Sequence, residues 1–197
     1  MQRAPEISEN STILRMPAIA SAASQIFYWS AIENDPLRFL GRAVPLISQT
    51  IGSEYVALVQ GSRGRWRTIA SSGPERSPPT ELLSESLDTG QVIARGDWNV
   101  SPLSPQSRNG ELLVAYLGAG KLTNEREPER RVVEEWLATG LEQVRARHRD
   151  KQQIVRQSAL LEITASWTRT LQMDKLLSQL AQTATRLLSA ERASIFL

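Results

Sequence analysis

The 197-residue sequence predicts an α+β fold: short hairpin-paired strands flanked by helices, then a long connecting helix and the opening of a second unit of the same plan. Three observations predict it. Helix-period segments bracket short apolar runs that are separated by turn dipeptides and prolines. From Glu127 onward the apolar spacing is helical for a long way. Ser21–Gln60 aligns with Ser158–Leu197 without a gap.

Composition limits what the chain does. Hydrophobic residues make up 41% and the mean hydropathy is -0.29, so a sizeable core is possible in a soluble chain. Basic residues number 23 and acidic residues 21. The pI near 9.3 therefore reflects a small arginine excess, and direct nucleic-acid binding is not expected. No run approaches the roughly 18–20 apolar residues of a membrane span. Met1 to Met16 is polar and lacks the apolar stretch of a signal peptide, so a disordered leader over 1–16 and a cytoplasmic location are expected. The absence of cysteine excludes disulfides, thiolate nucleophiles and Cys-based metal or haem sites. A single histidine excludes a multi-His site, so neither metal nor cofactor is expected.

The elements follow in order. Pro17 to Glu33 reads as a helix with proline in its first turn. Asp35 caps a second helix, Pro36 to about Ile51, with Leu37, Leu40, Val44, Ile47 and Ile51 at helical spacing and Gly52 as its stop. Pro45 inside it removes a backbone donor and predicts a bend or break. Tyr55–Val59 is a nearly continuous apolar run, as in a strand buried on both faces. Gly61–Gly64 is a turn, and Arg65 to Ala70 returns as a hairpin partner. Ser71 to Pro79 is loop. Thr80 caps a short helix, Glu81 to Asp88, ended by Gly90. Gln91 to Ala94 is a short strand. Trp98 to Leu103 and Glu111 to Leu117 form another pair across Ser104–Gly110, which contains the turn dipeptide Asn109-Gly110.

Pro128 suits the first turn of the long helix. Val133, Leu137, Gly140 and Val144, then Ile154, Ser158, Leu161 and Ala165, alternate at three and four residues around a polar gap, Arg145 to Gln153. This is a coiled-coil-like seam. A helix so exposed needs something to cover its stripe. A homodimer through the connecting helix is therefore expected, with Val133, Leu137, Val144, Ile154 and Leu161 in the seam.

The repeat is the most informative feature. Ser21/Ser158, Ala22/Ala159, Ile26/Ile163, Leu40/Leu177 and Glu54/Glu191 are identical, and Val44/Ala181, Ile47/Ala184, Ile51/Leu188, Val56/Ala193, Leu58/Ile195 and Val59/Phe196 keep apolar character. Both copies read helix, break, helix, strand, as duplicated domains do. The second copy stops within its first apolar strand, and about 40 residues bury too little core alone. The expected organisation is a leader, 1–16; a domain, 17–126; a connecting helix, 127–157; and an incomplete second domain, 158–197, of a longer protein.

Met173-Asp174-Lys175-Leu176-Leu177 followed by Ala190-Glu191-Arg192-Ala193-Ser194-Ile195-Phe196-Leu197 resembles the opening of a GAF domain, and Asp35–Leu40 with Gly52–Val59 looks like the same opening in a more diverged copy. The resemblance implies a GAF-like antiparallel sheet with flanking helices, a long connecting helix and the start of a second GAF-like domain. It also implies a small-molecule-binding or dimerising module upstream of a signalling output. Members that bind cyclic nucleotides carry an Asn-Lys…Phe…Asp-Glu pattern. Here Lys121 matches the lysine and the other residues are missing, so cyclic-nucleotide binding is not implied. A covalent bilin needs a cysteine, and His148, the one histidine, lies in the linker.

Two spellings suggest chemistry and fail on context. Gly118-Ala119-Gly120-Lys121-Leu122 lacks the upstream glycine and the Ser/Thr of a phosphate loop. His148-Arg149-Asp150 lacks the residues that follow it in protein kinases. Arg145, Arg147, Arg149, Lys151 and Arg156 wrap around a helix as a solvated face. No carboxylate pair or Ser/His/Asp set offers a catalytic site. Tyr55, Trp66, Trp98 and Tyr116 fall on predicted strands and are the candidate lining of a pocket for an unidentified small molecule. The expected function is a non-catalytic sensory region of a bacterial two-component protein, N-terminal to a histidine kinase. The alternatives are the regulatory region of an enhancer-binding transcription activator, with an ATPase output, and a ligand-free structural dimerisation module.

Overall fold

The computed structural model describes residues 16–62, 64–103, 110–118, 127–167 and 173–187. They form α1 (Met16–Ile32), α2 (Pro36–Ile51), β1 (Tyr55–Ser62), β2 (Arg65–Ser72), α3 (Thr80–Thr89), β3 (Ile93–Arg95), β4 (Trp98–Pro102), β5 (Glu111–Tyr116), α4 (Glu127–Trp167) and α5 (Met173–Leu187). The chain divides into two compact units, Met1–Arg145 and Ala146–Leu197. No helix among the described residues is long and apolar enough to cross a membrane.

The first unit is built on an antiparallel sheet of five strands in the order β2-β1-β5-β4-β3. β1 and β5 are central and buried on both faces. Their alternation divides the apolar residues into two cores. Val56, Leu58, Leu113 and Ala115 face α1, α2 and the first half of α4, where Ile26, Phe39, Leu40, Val44 and Ile47 are buried. Tyr55, Ala57, Val59, Leu112 and Val114 face α3 through Leu82 and Leu83.

Local rules place most elements. The Asp35 carboxylate accepts from the Leu37 N–H at 2.9 Å, with Pro36 in the first turn, and Gly52 ends α2 at φ 68°. That positive φ is open to glycine at little cost. Pro45 neither breaks nor ends α2, which runs through to Ile51. Its i−4 residue, Gly41, is exposed, so the carbonyl that loses its donor is left to water, while Val44 and Ile47 on either side are buried. Thr80 does not cap: Pro79 holds the N-cap position, and its carbonyl accepts from the Leu82 and Leu83 amides. The turn expected over 61–64 is tighter than its spelling, because Gly61 and Ser62 continue β1. The strand expected over 91–94 begins at Ile93. Asn109 and the rest of the 104–109 turn lie outside the described residues, as does 119–126, with most of the spelling that suggests a phosphate loop.

The long helix is observed as one element of 41 residues. Its role differs from the expectation. Val133, Leu137 and Val144 have no exposed surface, because they complete the core of their own domain. That core also holds Phe39 and Leu40 of α2, Val56 and Leu58 of β1, and Leu113 of β5. Gly140, in the same stripe, lets α4 approach closely: a Cβ there would lie 2.9 Å from the Phe39 ring. The first compact unit runs to Arg145, so the first part of α4, beyond the boundary expected between 126 and 127, packs within that unit. Ile154 and Leu161 are exposed, at 62% and 71%.

In the second unit, α5 occupies Met173–Leu187, the positions that the gapless repeat pairs with α2. Its half-buried residues Leu177, Leu180, Ala181 and Ala184 correspond to Leu40, Ala43, Val44 and Ile47, the buried face of α2. The strand expected over 190–197 lies outside the described residues.

Candidate functional site

On the α3 side of the sheet, β1, β2, the 73–79 segment and α3 enclose a cleft of about 440 Å³. Tyr55 and Val59 of β1 and Leu83 of α3 supply buried apolar wall. β2 supplies Trp66, Thr68 and Ser71. Strict alternation would not put Thr68 and Ser71 on one face. The β1–β2 register shifts between Leu58 and Val59, so that Leu58 pairs with Ala70 and Val59 with Thr68. Ile69 is the extra residue of this bulge, and it brings Thr68 and Ser71 to the same cleft. Gly61 lies opposite Trp66, where a Cβ would fall 2.9 Å from the indole, so a glycine there makes room for the ring.

The 73–79 segment brings the charged groups. Gly73 has φ 97°, and a Cβ there would strike the Glu54 carbonyl oxygen, so glycine allows the chain to turn beside β1. Glu75, Arg76, Ser77 and Pro78 then line the cleft. The Arg76 guanidinium lies 3.9 Å from the centroid of the Tyr116 ring, and its Nη2 donates to Glu54 Oε2 at 3.0 Å. Its Nε is buried without a hydrogen-bond partner among the described residues. Burial raises the Tyr55 hydroxyl above its ordinary pKa, and the nearby Glu75 carboxylate adds to the rise. Tyr55 is therefore a neutral donor at physiological pH.

Of the four aromatic residues expected to line a pocket, Tyr55 and Trp66 do so. Trp98 and Tyr116 do not line this cleft. Their rings meet edge to face at 5.0 Å, and Trp98 also meets Tyr55 at 6.3 Å, so they back the Tyr55 wall from the β4–β5 side. The Tyr116 hydroxyl donates to Asp97 Oδ2 at 3.2 Å, and its ring seats Arg76. Glu75 and Arg76 escape a reading of the sequence, because they sit between prolines in a stretch that reads simply as loop. Their adjacent opposite charges, flanked by Pro74 and Pro78, are the available signal.

The opposite face of the sheet is tied to α4. Glu111 of β5 is buried, and both its carboxylate oxygens accept from Arg145: Oε2 from Nη1 at 2.7 Å, and Oε1 from Nη2. Arg130 and Glu134 of α4 form a second buried pair at 3.0 Å. Burial raises the Glu134 carboxyl above its ordinary pKa, against the lowering effects of Arg130 and of a hydrogen bond from Ser101. Arg145 thus belongs to the domain and not to the solvated charge run in which the sequence places it.

No protein-family model matches the sequence, and no curated protein matches it. Solved structures do. A free methionine-R-sulfoxide reductase from Neisseria meningitidis, in complex with its substrate, is 15% identical with a TM-score of 0.56, over 74% of this chain and 99% of that one. The GAF domain of a phosphoenolpyruvate-protein phosphotransferase from Coxiella burnetii is 13% identical with a TM-score of 0.52, over 65% and 95%. The phycoerythrobilin-bound GAF domain of a cyanobacterial phytochrome is 15% identical with a TM-score of 0.50, over 66% and 97%. The chain has a GAF-like α+β fold.

Proposed function

We propose that the GAF-like domain is a sensory and regulatory module that binds a small molecule in the cleft and passes the binding state to α4. One observation carries this reading. β5 faces the α3-side core through Leu112 and Val114, and holds α4 on its other face through Glu111 and Leu113. A ligand that prefers one packing of the sheet would shift the population of α4 states by its differential affinity for them. Two of the structures of similar fold are complexes with a small molecule, which supports the same reading. The chain has no cysteine, so a ligand here is held without a thioether.

The output is proposed to be a histidine kinase that follows the segment, with an enhancer-binding activator as the alternative. A homodimer through α4 remains part of the proposal, with its contact moved. Exposed Ile154 and Leu161 replace the buried Val133, Leu137 and Val144, and Ile19, Ala23, Val132 and Trp136 line an apolar groove on α1 and the start of α4.

Thermal melts against a metabolite panel, with hydrogen exchange followed over 127–145, test the sensory reading. A ligand that raises the melting temperature and changes exchange in α4 supports it. Binding without any change in α4 would overturn the coupling. A panel with no binder, in a chain that dimerises with concentration, would install the structural-module reading instead. Sedimentation of Ile154→Asp/Leu161→Asp tests the dimer, which these changes should dissociate.

A further inference from the structure

The cleft carries both signs of charge on adjacent residues, over an apolar floor. Arg76 is the one cation among its lining residues, and Glu75 is the one anion. Arg76 is already paired with Glu54 through Nη2, its buried Nε lacks a hydrogen-bond partner among the described residues, and a guanidinium offers five N–H donors. Glu75 makes no ion pair among the described residues, and its charge is felt at the Tyr55 hydroxyl.

This arrangement discriminates among ligand classes. A phosphate or other multiply charged anion would find one cation, already shared with Glu54, and would face Glu75. A simple amine would meet Glu75 but approach Arg76. A neutral apolar molecule would cover the Glu75 carboxylate without compensating it, which is costly. A zwitterion satisfies both. Its carboxylate takes the donors of Arg76, which the Tyr116 ring holds in place, and its ammonium pairs with Glu75. An apolar side chain then lies against Trp66, Val59 and Leu83. We propose that the cleft binds a free α-amino acid with an apolar side chain. This rests on the reading of the cleft as the sensor site.

The test uses the full chain and four probes in calorimetry and thermal melts: L-leucine, L-phenylalanine, N-acetyl-L-leucine, which lacks the ammonium, and L-leucinamide, which lacks the carboxylate. L-Leucine or L-phenylalanine should bind, with each leucine derivative at least about tenfold weaker than L-leucine. Arg76→Met should lose the preference for L-leucine over L-leucinamide, and Glu75→Gln the preference for L-leucine over N-acetyl-L-leucine. Arg67→Gln, an exposed change on β2 outside the cleft lining, should bind as the parent does. Apo melting temperatures of the variants check that each has folded. Equal binding of the derivatives, or unchanged preferences in both cleft variants, would overturn the proposal. If no amino acid binds but another member of the metabolite panel does, the ligand class is wrong and the sensor reading stands. If nothing in either panel binds, both fall.

Discussion

Leu137→Ala separates a core role for α4 from an inter-chain one. Leu137 has no exposed surface and packs in the cluster of Phe39, Leu40 and Val44. Removing three carbons at about 0.8 kcal/mol each gives about 2.4 kcal/mol of lost transfer energy. The cavity left behind raises the cost to about 3–4 kcal/mol. At roughly 2–4 °C per kcal/mol for a chain of this size, the melting temperature should fall by about 6–16 °C. Leu161→Ala, at a residue 71% exposed, should stay within about 0.5 kcal/mol of the parent. Circular dichroism melts and sedimentation velocity on both variants make the comparison. A Leu137→Ala chain that melts within about 2 °C of the parent, but changes from dimer to monomer, would refute the assignment of this stripe to the domain core.

Three other perturbations follow from the same geometry. Glu111→Gln leaves Arg145 against a neutral partner on a buried strand, and the loss should be about 3–5 kcal/mol by urea denaturation. Gly140→Ala gains about 1 kcal/mol of helix propensity, yet sets a methyl against the buried Phe39 ring, so overpacking of about 1–3 kcal/mol should leave the variant no more stable than the parent. Glu134 has a raised carboxyl pKa, so as pH falls toward the ordinary value of 4.5 the folded state takes up its proton before the unfolded state does. The parent should therefore gain stability relative to Glu134→Gln on going from about pH 7 to about pH 5, and a relative loss over that range would contradict the burial argument.

Much of the fold is legible because its rules are local. Asp35 and Gly52 bound α2 through a side-chain cap and a positive φ, and both act within a few residues. The unbroken run over 55–59 announces a strand buried on both faces, since only such a strand needs apolar residues at every position. Pro45 leaves α2 unbroken, because the cost of a proline depends on whether water reaches the carbonyl four residues back, and that is a property of the assembled domain. The cleft is half legible. Tyr55 and Trp66 stand out as aromatic residues on strands, while the meeting of Thr68 and Ser71 depends on a bulge that no residue in β2 advertises.

Element order, hairpins, the long helix and the repeated helix-to-helix plan can all be read from the chain alone, because periodicity and capping are written in neighbouring residues. What covers the α4 stripe, and which charges meet, cannot. Val133, Leu137 and Val144 present the same spacing to a partner chain as to their own domain, and the hydrophobic effect that buries them has no direction of its own. The sheet and α2 settle the matter by bringing Phe39, Val56 and Leu113 to that stripe. Glu111 adds to it by meeting Arg145 across a separation in sequence that no local pattern encodes.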